Sequence, residues 1–224
     1  MENHRTHLAY ILDRSGSMQH LQEAAVAAFN DFLRSQLDVP GDATLSLVLF
    51  DDQYEVPFSN VSLEQLRQMT AADFIPRGST ALLDAIGRTI TETAARLDNL
   101  PDEHKPSSVI FAIFTDGYEN ASRRYTSAHI SDLIAEKRKQ GWDFLFLAAN
   151  QDAIATAAAM NIHAADTSAV LADEKGIRTT GGSFSRKVSA LRKSKSAPDQ
   201  LTQAEQEDLE KPMSDIVREE ENKP

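Results

Sequence analysis

The 224-residue sequence contains no cysteine, which excludes disulfides, thiolate metal sites and a disulfide-stapled extracellular framework. It has no apolar stretch long enough to cross a bilayer; the longest runs are strand-sized, so no membrane partner is expected. The opening residues lack an apolar leader with a small-residue cleavage site and run directly into a strand, so a cytoplasmic location is expected. There is no internal repeat. The six histidines (His4, His7, His20, His104, His129, His163) form no HxxxH or HxH pair. Gly181-Gly182 sits in no phosphate-loop spacing and is read as a hinge. Positive charge is also scarce. Twenty-three Lys and Arg against 34 Asp and Glu give a net charge of −11, which argues against binding nucleic acid phosphates.

The charge is unevenly spread. Residues 1–166 hold 23 acidic and 13 basic side chains, whereas 167–224 hold 11 and 10. Between Lys175 and Lys195 there are seven bases and no carboxylate; from Ser196 onward there are nine carboxylates and three bases. This suggests an α/β domain over 1–166, a basic extension over 167–195 and an acidic, partly disordered tail over 196–224. The basic segment has two readings, docking on the acidic body or serving as a partner-binding arm, and docking fits the charge balance better. A further option is that Glu219–Glu221 reach a metal site in the same or another copy. A monomer is expected, with self-association through the tail as the alternative.

Along the chain, apolar runs alternate with helical spacing. Strands are expected at Leu8–Leu12, Ala43–Phe50, Ser108–Phe114, Trp142–Ala148 and Ile162–Ala165, with Tyr54–Phe58 as an antiparallel hairpin partner at an edge. Helices are expected over Glu23–Leu37, Leu63–Met69 (short), Thr80 to about Leu97, Ser127–Gln140, Asp152–Met160 and Ser183–Leu191. Thr202-x-x-Glu205 has the form of a capping box for a short acidic helix. Strands that are apolar throughout, separated by helices, predict a doubly wound, mostly parallel six-stranded sheet covered on both faces.

Asp13-x-Ser15-x-Ser17 follows the first strand, where an open α/β sheet gathers its ligand-binding groups. By itself the triplet reads equally as a turn with Ser17 as a helix cap. Gly78-Ser79-Thr80 opens a helix, and Phe114-Thr115-Asp116-Gly117 ends the central strand at the same edge of the expected sheet. Oxygen-only donors suit a hard cation: Mg²⁺ first, with Mn²⁺ or Ca²⁺ also suitable. Neutral hydroxyls leave most of the ion's charge free to attract an outside carboxylate, while carboxylates one step back orient waters and hold the ion.

This ordered pattern over residues 6–166 resembles the von Willebrand factor A-type domain, and Asp13, Ser15, Ser17, Thr80 and Asp116 resemble its metal-ion-dependent adhesion site. The phrases from Asp116 to Asn120 and from Ala149 to Asp152 are similar to those of stand-alone bacterial and phage members. The resemblance implies direct metal ligation by Ser15 and Ser17, direct or water-mediated ligation by Thr80, and action mostly through water by Asp13 and Asp116. It also implies a binding module, not an enzyme, whose protein partner presents an Asp or Glu to the metal. Tyr118, Glu119, Asn120, Asn150, Gln151 and His20 are the residues that could line that contact. Two other readings stand beside it: a metal-dependent hydrolase, and an assembly scaffold with a structural metal. The adjacent Asp51-Asp52 is read as a hairpin turn.

Overall fold

The computed structural model describes residues 4–149 and 151–223, the side chains of 151–153 excepted. Six strands, β1 (Thr6–Asp13), β2 (Ala43–Phe50), β3 (Tyr54–Ser62), β4 (Ser108–Thr115), β5 (Trp142–Ala148) and β6 (Thr167–Ala169), form one sheet in the order β3-β2-β1-β4-β5-β6. Every pairing is parallel except β2 with β3 at the edge. The chain leaves β1 toward β2 on one side and later returns to β4 on the other. The strand order therefore reverses at the carboxyl ends of β1 and β4, where a crevice for ligands forms.

Alternation along β1 builds two cores. Leu8, Tyr10 and Leu12 face one side, packed with α1 (Gln22–Leu37) and α5 (Glu174–Ser196). Ala9 and Ile11 face the other, with α2 (Leu82–Asp98), α3 (Ser127–Lys139) and residues Ala157 and Met160 at the end of α4 (Gln151–Ala159). The ring of Phe184 in α5 meets Tyr10 edge-on at 5.7 Å, so the basic segment covers the sheet.

Several expectations are corrected. Leu63–Met69 is helical only for the turn Leu63–Gln65, because the Asn30 side chain grips the backbone of Met69 at both N–H and C=O. The last strand lies at Thr167–Ala169, not at Ile162–Ala165. Asn161 takes a left-handed turn (φ +60°) and Ile162 donates back to Ala157, so those residues close α4. Gly181 and Gly182 lie inside the 23-residue α5 and are not a hinge. A Cβ on Gly181 would come within 2.9 Å of the Ala28 carbonyl of α1, so the glycine serves close helix contact.

The tail, expected to be partly disordered, forms α6 (Gln203–Glu210) and α7 (Met213–Glu221), the first opened by the expected capping box at Thr202 and Glu205. Met213, Ile216 and Val217 of α7 are buried in the main core. The basic segment's charges are met within the molecule. Arg186 holds Asp208, Glu219 and Glu220, so Glu219 and Glu220 face Arg186 and not the carboxyl ends of the strands. Lys187 donates to the carbonyls of Asp208, Leu209 and Lys211 that end α6. Buried Arg192 does the same for Gln36, Val39 and Gly41 at the end of α1.

His7 of β1 is 1% exposed and hydrogen-bonded to Thr44. Burial, with the charge of Arg96 adding to it, pulls its pKa down from 6.5 to about 3. Between those values the unfolded chain takes up a proton that the folded chain refuses, so stability falls as pH is lowered through the window, by about 1.4 kcal/mol per pH unit. Urea unfolding at descending pH should show this slope as the difference in stability between wild type and His7→Gln, in which the titration of every other group cancels.

Candidate metal centre

Asp13 is the last residue of β1 and is fully buried. One carboxylate oxygen accepts the Ser15 N–H (2.7 Å) and the other accepts the Thr115 hydroxyl (2.6 Å). From Ser15 a line of oxygens runs outward: its hydroxyl lies 3.0 Å from that of Ser17, and Ser17 donates to Asp116 (2.8 Å). Gly117 sits against the remaining group, Thr80, and against Asp13. A Cβ there would lie 2.5 Å from the Thr80 hydroxyl oxygen and 3.4 Å from Asp13 Oδ2. The five residues singled out in the sequence thus gather at the reversal point between β1 and β4. Ser15 and Thr80 are buried, and Ser17 is exposed at the mouth.

The loops that carry them are tied to one another. Gly16 N–H donates to Gly78 C=O, and Arg77 N–H to Arg14 C=O. Gly78 has φ +66°, a backbone conformation glycine adopts without strain. Ala81 N–H donates to Asp51 C=O, and Thr80 N–H to the Asn120 side chain. Glu119 turns inward and accepts the N–H groups of Leu83, Ala121 and Ser122. Glu119 and Asn120, expected as partner-contact residues, hold the start of α2 beside Thr80. Tyr118 is 59% exposed, and His20 is exposed with its charge acting on Asp116. Asn150 lies outside the described residues, as does the side chain of Gln151.

Beneath the site, Asp51 is fully buried and is no simple turn residue. It accepts Arg14 Nε and Arg77 Nε at 3.0 Å each, and Glu55 takes the outer nitrogens of both arginines. Neither Thr115 nor this cluster stood out in the sequence. The only trace was the position of Thr115 inside the quoted Thr115-Asp116-Gly117 phrase.

Burial pushes the Asp13 carboxyl up to about 6 against the Thr115 and Ser15 hydrogen bonds, and the charge of Asp116 adds to the rise. Burial raises Asp116 as well, opposed by Ser17 and His20. A divalent cation beside Asp13 would reverse the balance and favour both ionised forms. The donor set is two carboxylates and three hydroxyls. No group of three or more His, Cys, Asp or Glu placed to hold a metal occurs among the described residues, so any ion here rests largely on neutral oxygens.

No protein-family model and no curated protein matches the sequence. Solved structures do share the chain path. Proximal thread matrix protein 1 from the mussel byssus, in the form with a zinc-occupied MIDAS motif, matches with a TM-score of 0.54 at 15% identity, over 84% of this chain and 46% of its own. A von Willebrand factor type A protein from Catenulispora acidiphila matches at 0.55 and 16% identity, over 84% and 43%. The fold is that of a von Willebrand factor type A domain. The manganese-loaded TRAP protein of Plasmodium vivax shares this fold at 0.52 and 14% identity, over 78% of this chain and 71% of its own. The chain spans about half the length of the mussel protein it matches (46%). At identities this low the likeness is one of fold. Among the described residues, no helix of this von Willebrand A fold is long and apolar enough to cross a membrane.

Proposed function

We propose that Asp13, Ser15, Ser17, Thr80 and Asp116 hold a hard divalent cation and that the chain is a binding module offering this cation to a carboxylate of a partner protein. The carrying observation is Asp13, a fully buried carboxylate whose hydrogen-bond donors are the neutral Ser15 amide and Thr115 hydroxyl. A second carboxylate, Asp116, stands close enough to raise its pKa. A buried and a half-buried acid among hydroxyls are costly without a cation and well matched to one. Two structures of the same fold hold divalent ions, zinc in the mussel protein and manganese in the Plasmodium protein. Mg²⁺ is the expected ion, since all five donors are oxygen.

Ser15 and Ser17 would bring neutral oxygen to the ion, Asp13 and Asp116 would retain it, and the exposed edge at Ser17, His20 and Tyr118 would meet the partner. The ion supplies a concentrated positive charge with an affinity for anionic oxygen. The test is calorimetric titration with Mg²⁺ and Mn²⁺. Saturable binding is expected for the wild type, with a loss of about tenfold or more in Ser15→Ala, the scale of one strong polar contact. Gly117→Ala should weaken binding similarly by displacing the Thr80 hydroxyl. No binding by the wild type, or equal binding by Ser15→Ala, would sink the metal assignment. Hydrolysis of a phosphate ester that needs Mg²⁺ and disappears in Asp13→Asn would replace the binding module with a hydrolase.

A further inference from the structure

At the end of the sheet opposite Asp13 lies a cavity of about 630 Å³, within the range of small-molecule sites. It opens between the starts of β1 and β2 and the ends of α1 and α2. On a chain of net charge −11 its lining is unusual: Arg5, His7, Arg96, His104 and Arg192 outnumber the acids Asp42 and Glu64. Leu37, Leu63 and Leu100 supply apolar wall.

The hydrogen bonding of three of these bases is incomplete. Nη2 of Arg96, Nε of Arg192 and Nε2 of His7 are buried without a hydrogen-bond partner, and His7 and Arg192 are each only 1% exposed. Buried polar groups are normally satisfied, so three on residues that line one cavity leave an excess of unmet hydrogen-bonding capacity just behind its wall. The chemistry each group lacks can be read. The Thr44 hydroxyl donates to Asn60 Oδ1, so its oxygen accepts from His7 Nδ1–H and leaves Nε2 as a bare acceptor. Arg96 Nη2 and Arg192 Nε each lack an acceptor. A matching ligand carries an anionic oxygen cluster for the arginines and a hydrogen-bond donor for the histidine. The helix ends at this pole favour cations, but the carbonyls of Gln36, Val39 and Gly41 at and just after the end of α1 are already taken by the other nitrogens of Arg192.

We propose that this cavity binds a small organic oxyanion, a phosphomonoester or a carboxylate on a hydroxyl-bearing body. The site is separate from the metal centre and does not depend on it. The test is calorimetric titration of the full chain with ribose 5-phosphate, gluconate, ribose and inorganic phosphate. Saturable binding of ribose 5-phosphate or gluconate is expected, the tighter of the two naming the oxyanion, with ribose silent and inorganic phosphate weaker than the sugar phosphate. Arg96→Gln, at a half-buried position, should weaken that binding by about tenfold or more, the scale of one charged hydrogen bond. Its circular dichroism and Tm should stay those of the wild type; if they do not, Arg5→Gln gives the same reading from the cavity's rim. The proposal is overturned if neither organic anion binds at millimolar concentration, or if the folded variant binds as the wild type does. Inorganic phosphate binding as tightly as ribose 5-phosphate would overturn it as well.

Discussion

Asp51→Ala is expected to destabilise the fold by about 3–5 kcal/mol, the cost of removing the fully buried partner of a buried charge. The charge is Arg14, whose side chain is 3% exposed and lies against an Asp51 side chain of 0%. Glu55 already holds the outer nitrogens of Arg14, but its carboxylate is 46% exposed and shared with Arg77, so it offsets only part of the loss. A loss of this size is a large share of the ~5–15 kcal/mol that holds a typical domain folded. The effect should also reach the metal centre. Arg14 stands between Asp13 and Ser15, its carbonyl receives Arg77 N–H, and the Asp51 carbonyl receives Ala81 N–H next to Thr80. The buried pair therefore sets the spacing of the two loops that deliver Ser15 and Thr80. Urea unfolding reads the first effect and Mg²⁺ titration of the folded fraction reads the second. Arg77→Ala, which removes a 42% exposed partner, should cost far less, about 1 kcal/mol or below. Comparable losses in Asp51→Ala and Arg77→Ala would show that burial of the Arg14 pair is not the source.

How legible each part was in the sequence follows from the range of the interactions that shape it. Trp142–Ala148 is a strand over the residues expected because an apolar run after Gly141, broken only by Asp143 near its start, leaves no other way to bury both faces. Asp13-x-Ser15-x-Ser17 was visible as a local pattern, and Thr80 and Asp116 joined it through the rule that strand ends gather at one edge. Contacts between distant segments were not visible. The Arg14–Asp51 pair spans 37 residues, and the turn of Glu119 toward Leu83 spans 36. The glycine pair at 181–182 reads locally as a hinge, yet close contact with Ala28 and Glu220 keeps it inside α5. The tail was misread for a different reason. Met213, Ile216 and Val217 carry the i, i+3, i+4 spacing of a buried face, but the surrounding carboxylates masked it. Those carboxylates are solvated or paired with Arg186 and Lys211, while the apolar face enters the core.

Asp13→Asn should abolish Mg²⁺ binding and, in metal-free buffer, raise the Tm. Few substitutions of a structural residue stabilise, so the prediction separates a metal centre from a merely buried carboxylate. The folded pKa of Asp13, about 6, lies above its ordinary 3.8. For an acid shifted upward, the folded state is favoured below the unfolded value and loses that advantage as pH rises through the folded one. At pH 7 the metal-free chain thus carries an ionised, fully buried carboxylate at a cost of about 2–3 kcal/mol, from roughly two pKa units. Asparagine keeps an oxygen for the Ser15 N–H and turns an amide toward the Thr115 oxygen, removing the charge without opening a cavity. For a chain of this length the relief corresponds to a rise of roughly 5–10 °C. Added Mg²⁺ should stabilise the wild type by mass action and leave the variant unmoved, so the two melting curves converge or cross as the ion is titrated. Lowering the pH from 7 toward 4 should also close the gap, because protonation removes the same charge from the wild type. A metal-free Asp13→Asn chain that melts well below the wild type would mean that the carboxylate serves the fold itself, through Ser15 and Thr115, and not an ion.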